Sequence, residues 1–176
     1  MLALQLNSMV KNFMGMLLRE DVFDEFELRN IEISTNLYAK SETSTGINSE
    51  VSDFAQPQGS CKSDFLLQHG VTVSIDGQGE KGYAKWQTVK PLVYTIIKSG
   101  EKPQQIKIVL SYPPNEQIHP NAAALFLNLS YEKDTVTFTT ATSQKQFAMD
   151  KSLDHIWDDW IKIFFANKKI SVSERE

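Results

Sequence analysis

The hydrophobic period of this chain changes from that of a strand to that of a helix within Ile106–Phe165, and this change restricts the fold more than any other feature of the sequence. Ile106, Ile108 and Leu110 alternate with Lys107 and Val109. Leu125, Leu127, Leu129 and Tyr131 alternate with Asn128 and Ser130, and Val136 and Phe138 alternate with Thr135, Thr137 and Thr139. Alternation of this kind puts one set of side chains on each face of a sheet, so the segment predicts an antiparallel meander with a hairpin at Glu132-Lys133-Asp134. From Asp150 the apolar residues are Leu153, Ile156, Trp157, Trp160, Ile161 and Phe164, the spacing of a helix with one face to bury on that sheet.

Two further stripes share the helical spacing: Val10, Phe13, Met14, Leu17 and Leu18, then Val89, Leu92, Val93, Ile96 and Ile97. Helices are therefore predicted over residues 9–19, 88–99 and 151–166, with N-caps at Asn7-Ser8, Thr88 and Asp150 and a stop at Gly100. Pro91 then falls in a first turn, where its missing N–H has no intrahelical acceptor. Leu2, Leu4 and Leu6 read as a strand. Phe23 and Phe26 precede two strands over Leu28–Ala39, with a phase slip at Asn30 that suggests a bulge, and Val71, Val73 and Ile75 read as another strand. The fold class is α+β, mainly antiparallel, with about three amphipathic helices on the sheet. An alternative follows from the matching stripes: a pseudo-duplicated, clamp-like α+β domain with paired units forming two sheets, although its two helices would offer a channel only Lys11, Arg19, Lys90 and Lys98, too few for a basic surface.

With 176 residues the chain is expected to form a single domain over 1–176, with a polar insert or long loop at about 41–82 and a frayed tail after 168. Its hydrophobic fraction of 41% and charged fraction of 23% are those of an ordinary globular protein. A net charge of −4 argues against wholesale binding of a nucleic-acid backbone, which needs a broad basic face. No transmembrane stretch is read, and Met1–Leu6 lacks the basic start of a signal peptide. The one cysteine, Cys61, has no internal partner and fits a reducing compartment, so a cytoplasmic protein is expected.

Few residues carry a chemical signature. Gly77-Gln78-Gly79-Glu80-Lys81-Gly82 matches G-x-G-x-x-G, but a dinucleotide site needs a helix opening within the motif, and the helical stripe begins only at Val89. It is read as a turn, with no cofactor. Asp150, Asp154 and Asp158 share a helical face and are candidate ligands of a divalent metal, against the simpler reading of acids at a helix N-terminus. His69, His119 and His155 have no zinc-site spacing, and no nucleophile motif occurs. A ligand or partner surface is placed instead on Phe54, Tyr83, Trp86 and Tyr94, where the insert is expected to border the second helix.

Met1-Leu2-Ala3-Leu4-Gln5, Phe23-Asp24, Trp86 with Pro91, and Ser152-Leu153-Asp154 with Trp157-Asp158-Asp159 together resemble an uncharacterised bacterial family, a domain of unknown function. The resemblance implies a small intracellular bacterial protein and brings no activity, cofactor or catalytic residue. The expected function is a binding or interaction module without catalytic activity, its partner a protein or small molecule. The alternatives are a clamp-like, nucleic-acid-associated module and a metal-dependent enzyme using the Asp150, Asp154 and Asp158 face.

Overall fold

A computed structural model of the chain describes residues 1–35, 71–79, 82–99, 102–113, 118–147 and 149–175. In chain order the elements are β1 (Ala3–Leu6), α1 (Val10–Leu18), β2 (Glu27–Thr35), β3 (Val71–Asp76), β4 (Gln78–Gly79), β5 (Gly82–Tyr83), α2 (Trp86–Ser99), β6 (Gln105–Tyr112), β7 (Ala122–Glu132), β8 (Thr135–Gln144), α3 (Ser152–Asn167) and β9 (Val172–Glu174). The meander β6-β7-β8 is the centre of a seven-stranded sheet of order β3-β2-β6-β7-β8-β1-β9, antiparallel at every pairing. At its β7–β8 turn, Lys133 and Asp134 both take positive φ, the geometry of a tight two-residue hairpin.

Strand alternation becomes cross-strand rows. Ile33, Ile106, Tyr131 and Val136 are in register across β2, β6, β7 and β8, as are Ile31, Ile108, Leu129 and Phe138, and all are buried. The helices cover this face. Phe138 meets Phe13 of α1 at 5.2 Å between ring centroids and Phe165 of α3 at 4.9 Å, so one strand residue fixes two helices on the same side. Along α3, Trp157, Trp160 and Phe164 form a continuous stack with centroids 5.0 and 5.3 Å apart. The fold is α+β and mainly antiparallel, as the change of period requires. The clamp-like alternative does not form: the long strands make one sheet, where duplicated units would make two.

The phase slip in β2 is a bulge. Register shifts between Leu28 and Asn30, which turns Arg29 to the sheet face opposite the helices. There Arg29 lies 3.4 Å from the ring centroid of Tyr83 and donates from Nε to the buried Ser111 Oγ at 2.7 Å. The glycine stretch completes the bulge. β4 and β5 pair as a small hairpin, the Gly77 amide donates to the Arg29 carbonyl at 3.1 Å, and a Cβ on Gly77 would stand 1.8 Å from the Leu28 carbonyl oxygen. Only glycine fits so close an approach.

Several local expectations are corrected. α1 starts at Val10 behind Met9, which makes no side-chain cap bond, where Asn7-Ser8 was expected to cap. α2 starts at Trp86, two residues before Thr88, because the Trp86 amide donates to Phe26 O at 2.7 Å and its indole is fully buried. Pro91 therefore lies beyond the first turn and removes a helical donor. Asp150 stands just outside the formal cap Lys151, yet its Oδ1 accepts from both the amide and the hydroxyl of Ser152. The tail expected to fray forms β9, held by β1 through Leu6–Val172 and Leu4–Glu174. β2 runs unbroken to Thr35. The second strand read at Leu37–Ala39, the stop at Gly100, and Phe54, Cys61 and His69 lie outside the described residues. No helix among the described residues is long and apolar enough to cross a membrane.

Candidate functional site

α1 and α2 pack on the same sheet face but leave a groove of about 360 Å³ between them. One wall is Val10, Met14 and Leu18 of α1, the other Tyr94 and Ile97 of α2, and the floor is Pro103, Ile106 and Tyr131. The two helices are tied at one end, where the buried Trp86 Nε1 donates to the Leu17 carbonyl at 2.8 Å. A volume of this size lies within the ordinary range for small-ligand pockets, about 300–1,000 Å³.

Gly15 of α1 also lines the groove, and a Cβ built on it would meet nothing within 4 Å. Its φ is not positive, so neither backbone geometry nor close packing requires glycine there. A glycine inside a helix costs about 0.8–1.0 kcal/mol relative to alanine. Here it leaves space facing the cavity.

The rim is basic. Arg19 Cζ and Lys98 Nζ each lie 5.7 Å from the Tyr94 ring centroid, and Lys11 stands on the same rim. At the margin, Lys102 is paired with Asp134, which also accepts from the Tyr131 hydroxyl at 3.1 Å. The bond from Lys102 holds the Asp134 carboxyl below its ordinary range, and the same bond raises Lys102. Burial, followed by the contact with Asp134, raises the Tyr131 phenol. Tyr131 is thus a neutral donor in the groove near neutral pH.

Of the residues proposed from sequence for a ligand or partner surface, Tyr94 lies in this groove. Tyr83 is on the opposite sheet face under Arg29, Trp86 is buried with its indole N–H bonded, and Phe54 is outside the described residues. Lys11, Arg19 and Lys98, read as channel cations, are brought together, whereas Lys90 turns away to Asp24 and the Glu20 carbonyl. Sequence reasoning missed Gly15, Pro103 and Tyr131. The one signal for Gly15 was a helix-disfavouring residue inside an otherwise regular stripe.

The acidic face of α3 is engaged elsewhere. Asp154 accepts from Thr142 Oγ1 and Asp158 from Thr140 Oγ1, pinning α3 to β8, while Asp150 bonds Ser152. The Ser152 bonds hold the Asp150 carboxyl below its ordinary range. Among the described residues no three His, Cys, Asp or Glu side chains converge as a metal site would need.

Asp150, Ser152 and His119 form a chain that resembles a nucleophile set in composition only. His119 Nδ1 accepts from the Asn121 amide at 3.1 Å, so the neutral ring carries its proton on Nε2, which is 3.4 Å from Ser152 Oγ. Ser152 in turn donates to Asp150 at 2.7 Å. Protons therefore point from histidine to serine to aspartate. Activation of a serine needs a free histidine nitrogen as acceptor, with the carboxylate on the other nitrogen.

Fold and groove together define a two-layer α+β protein: an antiparallel sheet covered on one face by three helices, two of which enclose a small apolar cavity with a basic rim. The chain belongs to the family of unknown function DUF5721, whose sequence model matches residues 58–173, well over half its length. The match takes in the glycine hairpin and all of α2 to α3, and leaves α1 outside the matched span. No curated protein and no solved structure matches the chain.

Proposed function

We propose that this protein is a non-catalytic binding module and that the groove between α1 and α2 is its ligand site. The observation that carries this reading is Gly15, a helix-interior glycine whose missing side chain faces open space in an apolar cavity. The proton direction in the His119–Ser152–Asp150 chain supports a role without catalysis, as does the engagement of Asp154 and Asp158 by threonines. A nucleic-acid role is disfavoured by the net charge of −4 and by the small extent of the basic rim, which is Lys11, Arg19 and Lys98 with Lys102 already paired to Asp134. The lone Cys61 fits a reducing compartment, and in this reading the protein works in the bacterial cytoplasm.

Calorimetric titration with decanol, a neutral apolar probe, tests the site. Saturable binding is expected in the wild type and its loss in Gly15→Leu, whose side chain would enter the cavity. Absence of saturable binding, or binding that Gly15→Leu leaves unchanged, contradicts the assignment.

A further inference from the structure

The rim of the groove carries information about its occupant. In a chain with more acidic than basic residues, the neighbouring Lys90 and Lys102 are matched to Asp24 and Asp134. Arg19 and Lys98 form no ion pair among the described residues; their contact there is with the π face of Tyr94, each at 5.7 Å. Two exposed cations thus flank one aromatic ring at the mouth of an apolar cavity, with positive charge that no carboxylate among the described residues pairs, where the remainder of a bound molecule would emerge. Resting on the groove reading above, we infer that the ligand is a small anionic amphiphile, a single apolar chain or ring system ending in a carboxylate or phosphate. Its apolar part lies along Met14, Gly15, Ile97 and Ile106, and its head group lies at the mouth beside Tyr94, within reach of the Arg19 and Lys98 side chains. The guanidinium can engage two oxygens of such a head at once, while lysine acts as a point charge beside it. A volume of about 360 Å³ suits a free small molecule rather than a protein helix, which with its side chains is about 10–12 Å across.

The test compares decanoate, decanol and inorganic phosphate by calorimetry on the full chain at low and high salt. Decanoate is expected to bind about tenfold more tightly than decanol at low salt, with phosphate alone a poor competitor. Raising salt should weaken decanoate binding and leave decanol unweakened, because screening acts only on the charged head. Arg19→Gln and Lys98→Gln, both at exposed positions, should each reduce the preference for decanoate and in combination bring the two affinities together. Equal affinity in the wild type, a preference insensitive to salt, or a preference that survives the double substitution would overturn the anionic assignment and leave the groove reading standing. Phosphate competing as well as decanoate would overturn the requirement for an apolar body. Failure of decanol and decanoate alike would overturn both.

Discussion

The indole N–H of Trp86 donates to the main-chain carbonyl of Leu17 at 2.8 Å, joining the first residue of α2 to the last turn of α1. Both residues are fully buried, so the bond closes one end of the groove and satisfies a carbonyl that α1 itself leaves unpaired. Trp86→Phe keeps most of the ring but removes the donor. It should destabilise the protein by about 1–3 kcal/mol, the cost of an unsatisfied buried acceptor. Denaturant midpoints would measure it, and a shift within the range of surface substitutions would mean that the helices are fixed by packing alone.

Gly15→Ala should act in the opposite direction. The added methyl meets no atom within 4 Å, and the helix gains about 0.5–1 kcal/mol from replacing glycine. A raised thermal midpoint is the expected outcome. A lowered one would show that the cavity beside Gly15 is occupied in the folded protein.

Gly77→Ala tests the clasp at the β2 bulge. A Cβ 1.8 Å from the Leu28 carbonyl oxygen forces the β4–β5 hairpin away from Arg29, and overpacking of this kind costs about 1–3 kcal/mol. Denaturation would report the loss, and near-UV circular dichroism the altered setting of Tyr83. An unperturbed variant would place the hairpin elsewhere.

Trp157 is the largest buried contribution of α3, fully inaccessible and stacked on Trp160. Trp157→Ala should cost about 3–5 kcal/mol. A midpoint close to that of the wild type would mean that α3 is dispensable for the core.

The Asp150 carboxyl at the start of α3 gives a pH dependence with a definite sign. Its folded value is depressed by the Ser152 bonds, so its stabilising effect is present above the ordinary value of 3.8 and is lost as pH falls through the lower folded value. Thermal midpoints of the wild type and Asp150→Ala should therefore differ above about pH 5 and converge toward pH 2. A difference that grows on acidification would reverse the sign and the assignment of this cap.

The central sheet was legible because one face of β6, β7 and β8 is buried over Ile106–Leu110, Leu125–Tyr131 and Val136–Thr140, so pairing and burial impose the same period of two there. α3 was legible for the same reason: Leu153, Trp157 and Ile161 meet the sheet at helical intervals. β9 was not, since three residues among exposed neighbours hold no pattern of their own, and the strand exists through its pairing to β1 at the far end of the chain. The start of α2 was hidden likewise, because the partners of Trp86 are Leu17 and Phe26. The groove depends on the adjacency of Arg19, Tyr94 and Tyr131, which local periodicity cannot show. Its cations were visible in the sequence as residues of two helices on one surface; the placing of Arg19 and Lys98 at the Tyr94 ring over an apolar cavity was not.

Mapping by nuclear magnetic resonance tests the binding site most directly. Amide and methyl resonances would be followed while decanoate is added to the isotopically labelled full chain. Saturable shifts are predicted at Gly15, Arg19, Tyr94, Ile97 and Ile106, with the exposed Phe147 and Met149 beyond β8 unaffected. Shifts centred on Phe147 and Met149, or none that saturate anywhere in the protein, would contradict the assignment of the α1–α2 groove as the ligand site.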